Sequence, residues 1–486
     1  MGGARENNGL GVAVLGAGPA GLTSAWTLAR RGYSATVLEA DGTVGGISKT
    51  IEFEGYRFDL GGHRFYTKLE EVRRLWEQML GTELLTRPRL SRIYFGNRFF
   101  NYPLRAEDVV KGLGLVESAR CAWSFFYWRR RLRHLRPQTF EEWVVRRFGR
   151  RLYDAFFRSY TEKVWGIPGS EIQSEWAAQR IQEFSLWQAV LGVLHLRRQH
   201  VTTLIEEFLY PRLGPGQMWE SFSDWVEDHD IPVHLNHRCV GIRHDSGRVE
   251  SVVVRTDGEE REHDVDAVMS SIALRDLIAS LDPPAPIEVQ MAAERLRYRN
   301  LCLVALMTTE DEPFPDNWIY LHDPRTQAGR VQNFGAWSPD MVREGTTCLG
   351  VEYFCNDEDD IWTMSDEDAV KLAIKDLSSI GILDPEQVFN GVKVRVPKAY
   401  PMYDSSYRES VATIRGYLEH FENLRTFGRN GLHRYNNQDH SMWTAILATL
   451  NHTDGASHDV WSVNTRAEYL EEGPLAERLG DVDLVS

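Results

Sequence analysis

The chain has 486 residues, 42% hydrophobic and 11% aromatic, which is ample for two or three packed domains and too long for one simple core. A net charge of −15 argues against a general nucleic-acid binder. Five widely spaced cysteines without a C-x-x-C, and histidines without ligand spacing, exclude a disulfide framework and a metal cluster.

The N-terminus runs into an apolar strand, Val12–Leu15, so no secretory signal is expected, and the long apolar stretches Val109–Trp128 and Leu186–Tyr210 carry internal charges. A cytoplasmic protein without a transmembrane segment is expected. After the strand come Gly16, Gly18 and Gly21 in G-x-G-x-x-G spacing, a helical segment, and a second strand, Ala35–Leu38, ending at Glu39. Gly16 serves a tight turn, Gly18 the approach of a pyrophosphate, and Gly21 close helix–strand packing, while Glu39 stands where a carboxylate accepts ribose hydroxyls. The helix N-terminus, with Pro19 and Ala20, adds free N–H groups and a positive dipole end. This is a dinucleotide site, extended by Ala40 and the Gly45–Gly46 pair.

Alternation in IEFEGYRFDLGGHRFY predicts strands, followed by a second glycine-rich passage, Gly61-Gly62-His63, suited to a bulky cofactor or to a hairpin. RIYFGNRFFNY reads as a hairpin turning at Gly96-Asn97. From Arg105 to His200 apolar residues recur at helical spacing, broken at Gly166-Ile167-Pro168. Within that stretch lies a basic cluster, Arg129, Arg130, Arg131, Arg133, Arg136, Arg146, Arg147, Arg150 and Arg151. It reads as a solvated face of two helices, a contact for a phosphate-bearing ligand, or a contact for an anionic membrane surface. Gly214-Pro215-Gly216 marks a turn before a helix reaching Trp225, then come strands meeting across Ser246-Gly247, and Val265–Ile272 returns the chain to the nucleotide domain. Leu301–Phe354 is strand-rich, Asp366–Gly381 an amphipathic helix capped by Ser365, and Arg425–Leu450 ends in a helix. The acidic tail carries one more helix near Val460–Tyr469.

An N-terminal fingerprint completed by distant segments is the layout of FAD-dependent oxidoreductases related to amine oxidase. The expected fold is α/β. A Rossmann-like FAD-binding domain is assembled from residues 9–90, 212–280 and 420–455. A mainly helical insertion spans 104–205, an antiparallel-sheet substrate domain 91–103 and 295–415, and an acidic tail 456–486.

Several stretches resemble the UDP-galactopyranose mutases, especially the eukaryotic type: FDLGGHRFY, RFFNYPL, EKVWGIPGSEI with EWAAQRI, FLYPRLGPGQMW, GRVQNFGAWSP, KAYPMY and GRNGLHRYNNQDHS. The resemblance implies a non-redox use of reduced FAD, kept reduced by NAD(P)H, to interconvert the pyranose and furanose forms of a nucleotide-activated hexose. It places His63 beside the flavin and Arg330 on the substrate diphosphate, with Arg180 as a second substrate-side arginine. Tyr320, Tyr400 and Tyr435 would surround the diphosphate, Tyr102 the nucleotide and Trp165 the sugar. Arg429, Asn437, Gln438 and Asp439 would contact the flavin. The pattern departs from the family at Arg105, Thr161, a residue near Ile205 and Trp337, and the Tyr435–Gln438 gap is two residues shorter than in the eukaryotic type. These changes fall on the substrate side, so the cofactor is better specified than the sugar. Two other functions share the scaffold. One is an oxidase or desaturase transferring hydride from an amine, a porphyrinogen or a polyene. The other is a flavin-free binding protein like the Rab GDP-dissociation inhibitors, against which the intact Gly16, Gly18, Gly21 and Glu39 count.

Overall fold

The computed structural model describes residues 10–102, 106–174, 207–309 and 313–464. Strand Val12–Leu15 is buried at every position, as a strand covered on both faces must be, and pairs in parallel with Ala35–Leu38 and Ala267–Ser270. Leu424–Thr426 and Val233–His234 complete a five-stranded parallel sheet at its two edges. Val12 and Val14 point into one core with helices Pro19–Arg30, Gly216–Glu227 and Gln438–Thr453, where Trp26, Trp219 and Trp443 are buried. Ala13 and Leu15, one residue out of phase, join a second core beneath strands Arg238–Asp245 and Arg248–Thr256 and helix Tyr407–Leu418.

A seven-stranded sheet forms the other half of the molecule. Its order is Val388–Pro401, Tyr298–Thr308, Thr347–Cys355, Arg330–Asn333, Trp318–Leu321, Ser91–Phe95 and Arg98–Asn101. All pairings are antiparallel except Trp318–Leu321 with Ser91–Phe95. Leu301, Leu303, Ala305 and Met307 face a helical layer, while Cys302, Val304 and Leu306 face helix Asp366–Ser379. The Ser365 hydroxyl caps that helix by accepting from the Asp368 N–H.

The helical layer comprises Ala106–Leu113, Leu115–Arg131 and Phe140–Phe148, the last opened by a Thr139/Glu142 capping box. Residues 150–165 form one further helix whose middle, Tyr153–Arg158, is a π-helical turn. It stops at Gly166, at φ +65°, where a Cβ would lie 2.6 Å from the Arg299 guanidinium carbon.

Some elements escape sequence reading. Glu259–Asp264 is an all-polar strand at a sheet edge, and Val388–Pro401 is an edge strand containing Gly391 and Pro397, composition that masks strand propensity. Near Val460 the expected helix is a three-residue 3₁₀ turn, Val460–Ser462, and residues 465–486 lie outside the described residues. No helix among the described residues is long and apolar enough to cross a membrane.

Candidate cofactor and substrate site

The carboxyl ends of the parallel strands converge on Gly16, Glu39, Ser271 and Gly428, the edge at which open α/β sheets bind ligands. Gly16 has φ +97°, and a Cβ on Gly21 would sit 1.7 Å from the Gly16 carbonyl oxygen, so helix and turn touch through backbone alone. Gly18 is different: a Cβ there would meet only Gly46 backbone at 3.8–3.9 Å. The space it leaves open is bordered by Gly45 and Gly46, at φ +98° and +54°. Helix Pro19–Arg30 has no side-chain cap at Gly18, so its first N–H groups are not claimed by a capping side chain. Glu39 accepts from the Ala17 N–H at 2.6 Å and the Asp41 N–H at 2.8 Å, which holds its carboxylate at the strand end beside exposed Ala40. A side-chain-free surface, an uncapped helix N-terminus and a fixed carboxylate fit a dinucleotide's pyrophosphate and ribose.

The Gly61-Gly62-His63 passage lies between the two halves. A Cβ on Gly61 would stand 3.8 Å from Arg330 Nη2, and one on Gly62 would stand 3.0 Å from Gln332 Nε2 and 3.4 Å from the Trp337 ring. The backbone therefore runs close over a floor formed by strand Arg330–Asn333 and Trp337. Gln438, first in its helix, donates to the His63 carbonyl at 3.4 Å, and Trp219 Nε1 donates to its amide oxygen at 3.1 Å, which fixes the amide. His63 Nδ1 is buried without a hydrogen-bond partner among the described residues. Burial, with Arg429 and Arg330 nearby, lowers its pKa to about 3, so the imidazole is neutral at physiological pH.

Arg330 makes a two-pronged contact with fully buried Glu352, Nε donating at 2.9 Å and Nη2 at 2.6 Å. Burial opposes the guanidinium charge, but Glu352 and the neighbouring Tyr400 and Tyr160 hold its pKa well above the usual arginine value. Gln332 donates to Glu352 at 2.6 Å and accepts from Trp337 Nε1 at 3.1 Å, so a polar chain crosses the floor. Above it stand tyrosines. Tyr320 meets Tyr160 edge-on at 5.5 Å and Tyr102 at 4.9 Å; Tyr400 stacks on Tyr435 at 5.6 Å, and both contact Trp165 edge-on at 6.5 Å. Arg429 lies over Tyr435 at 4.2 Å, with its donors on the Ala399 and Asn436 carbonyls, which makes it a brace for that pair.

Thus His63, Arg330, Tyr320, Tyr400, Tyr435, Trp165, Tyr102, Arg429 and Gln438 form one connected set. Asn437 stands at the N-cap position of the helix in which Gln438 and Asp439 open the first turn. Arg180, Arg105 and the position near Ile205 lie outside the described residues. Thr161 is buried, and Trp337 is buried with its indole N–H on Asn317 and Gln332, offering no hydroxyl to a ligand.

Sequence reasoning overlooked Glu352, Gln332, Tyr160 and Lys163. The two-residue spacing of Arg330 and Gln332 on a strand was the available signal, since it puts both on one face. Lys163 Nζ donates to the Leu321, Asp323 and Ala328 carbonyls and the Thr326 hydroxyl, and burial pulls its pKa down to about 8. Among the described residues no cluster of His, Cys, Asp or Glu could hold a metal.

The sequence profile described as flavin containing amine oxidoreductase matches residues 19–432. A probable UDP-galactopyranose mutase from Klebsiella pneumoniae is 27% identical over 168 residues, 34% of this chain, and the match spans only 43% of that relative. The crystal structure of a reduced UDP-galactopyranose mutase superposes with a TM-score of 0.82 at 20% identity, covering 94% of this chain and 96% of that one. A putative protoporphyrinogen oxidase from Exiguobacterium sp. gives 0.67 at 16% identity, covering 90% and 97%. Wild-type putrescine oxidase bound to putrescine gives 0.59 at 17%, covering 90% and 98%. These likenesses fix the fold, and the profile, together with a cradle that fits FAD, fixes the lineage: the chain belongs to the flavin containing amine oxidoreductase family.

Proposed function

We propose that this flavoprotein is a mutase interconverting the pyranose and furanose forms of a nucleotide-activated hexose, as UDP-galactopyranose mutase does. One observation carries the reading: a largely buried arginine, Arg330, with Tyr160, Tyr320 and Tyr400 around it beside His63. Apolar hydride donors need no such set, whereas a diphosphate needs a guanidinium and hydroxyl donors. The partial identity to the Klebsiella mutase supports the same direction.

FAD, when bound and reduced by NAD(P)H, supplies a nucleophile toward the anomeric carbon. The chain's own residues do the rest. Gly16, Gly18, Gly21, Gly45 and Gly46 admit the pyrophosphate, and Glu39 and Ala40 border the ribose. Gly61, Gly62, Asn437, Gln438 and Asp439 border the far end of the cofactor. Neutral His63 would lie beside the flavin without adding a positive charge there. Arg330 holds the diphosphate with Tyr320, Tyr400 and Tyr435, and Tyr102 borders the nucleotide. Trp165 walls the sugar, and holding reactants in register is a large part of the catalysis. Arg180 would complete the anion site. We assign residues 9–90, 212–280 and 420–455 to FAD binding, 91–103 and 295–415 to substrate, 104–205 to a helical layer, and infer a cytoplasmic location.

A second reading, hydride transfer by an oxidase or desaturase, is favoured by one fact: Glu352 already neutralises Arg330. The experiment that separates them incubates dithionite-reduced holoprotein with UDP-galactopyranose and UDP-galactofuranose and follows both by chromatography. Interconversion is expected. Failure on these and other nucleotide-sugars, with turnover of an amine or polyene by the oxidised enzyme, would overturn the mutase reading.

A further inference from the structure

Helix Leu115–Arg131 has two unlike faces. Its inner face buries Cys121, Ser124 and Phe125. There the backbone comes so close to Gly149 that a Cβ on that glycine would lie 2.6 Å from the Phe125 nitrogen. The Ser124 hydroxyl also accepts from the Arg151 N–H at 3.2 Å, so the helix is held firmly to the body. The outer face carries Leu115 at 79% exposure, Val116 at 69%, Trp123 at 70% and Tyr127 at 44%. Ala119 and Ala122, also exposed, fall between them on the same face. Spacings of one, four, seven, eight and twelve residues from Leu115 keep these side chains on one broad face of the helix, about 140° wide. Trp123 and Tyr127 stack at 5.5 Å, which makes one broad aromatic plate.

The C-terminal end of the same helix is basic. Arg129, Arg130 and Arg131 close it, with Arg133 and Arg136 just beyond, all exposed. Arg130 continues the apolar stripe, while Arg129 and Arg131 flank it at about 100° to either side. Arg129 and Arg131 lie over the Phe125 and Trp128 rings at 5.5 and 5.9 Å, which keeps their charges beside the helix. A solvated helix face would be polar, and a protein of net charge −15 has no general affinity for anions. Apolar and aromatic side chains in line, bordered by arginines, are what a helix lying in a headgroup layer presents.

We propose that Leu115–Arg136 is a peripheral docking surface for an anionic lipid bilayer. Trp123, Tyr127, Leu115 and Val116 would enter the interface, and Arg129, Arg130, Arg131, Arg133 and Arg136 would sit among the headgroup phosphates. The assignment is independent of the substrate at the flavin site.

The test sediments the flavin-loaded full chain with vesicles of phosphatidylcholine alone and of phosphatidylcholine with 30% phosphatidylserine. Binding is expected with the anionic vesicles only and should weaken as salt rises. Replacing Arg129, Arg130 and Arg131 by Gln should lower affinity on the order of 100-fold, and Trp123→Ser with Tyr127→Ser about tenfold or more. Unchanged flavin absorbance in both variants would show that fold and cofactor persist. No binding to anionic vesicles at low salt, equal binding to both compositions, or insensitivity to both sets of substitutions would overturn the proposal. So would self-association, or capture by a polyanionic RNA, that is lost on these substitutions while vesicles fail to bind.

Discussion

The nucleotide cradle and the tyrosine chamber are built by opposite means. The cradle is made of backbone: Gly16, Gly21, Gly45 and Gly46 take conformations or contacts that a side chain would forbid, within one short stretch of chain. The chamber is made of side chains brought from His63, helix Ser159–Trp165, strands Trp318–Leu321, Arg330–Asn333 and Thr347–Cys355, and the return through Tyr400 and Tyr435. A local steric requirement is written in adjacent residues. A chemical requirement assembled over the whole fold can drift one position at a time, so the same scaffold keeps its cofactor while its substrate changes.

The contrast can be broken most forcefully at Gly21. Gly21→Ala drives a methyl into the Gly16 carbonyl, so a loss of about 4 kcal/mol or more and a colourless, poorly soluble product are expected. Gly18→Ala, in open space, should leave urea stability within about 1 kcal/mol and weaken flavin retention, read from absorbance after gel filtration. If both variants behave alike, the division of labour between these glycines is wrong.

Within the chamber, Glu352→Gln leaves a largely buried Arg330 without its counter-ion and should cost about 3 kcal/mol in a urea titration, with flavin still bound. Arg330→Ala should retain flavin and lose UDP affinity by roughly 100-fold, measured calorimetrically. Unchanged UDP affinity would remove the diphosphate from this site.

A smaller effect concerns protons. Burial, and Lys163 beside it, lowers the His322 pKa to about 3. The unfolded chain therefore takes up a proton near pH 6.5 that the folded chain refuses until about pH 3. The contribution of this histidine to stability is full above pH 6.5 and is lost as pH falls through that window. His322→Gln should flatten the fall in stability between pH 6 and 4 by up to one proton, about 1.4 kcal/mol per pH unit. An unaltered slope in urea midpoints would show that His322 titrates normally.

The same contrast explains what could be read beforehand. Strands Val12–Leu15 and Ala35–Leu38 and the turn at Gly166 are visible because apolar runs and glycines act locally. The hairpin at Gly96-Asn97 is visible for the same reason, with Asn97 at φ +61°. Glu352 is invisible because a carboxylate in a fully buried strand, VEYF, contradicts pattern reading until Arg330 is placed on the neighbouring strand as its register partner. Lys163 hides likewise: its carbonyl partners lie at a strand end and in the loop beyond it, far along the chain. The π-helical turn at Tyr153–Arg158 leaves no compositional trace at all.

That turn sets the phase of everything after it. An α-helix advances about 100° per residue, and a π turn absorbs one residue beyond the α repeat. Tyr160, Lys163 and Trp165 meet the seven-stranded sheet only because the surplus residue is present upstream. The chamber wall therefore depends on a count rather than on an identity. Deleting one residue of the turn, such as Ala155, would swing the tyrosine, the lysine and the tryptophan off the sheet together.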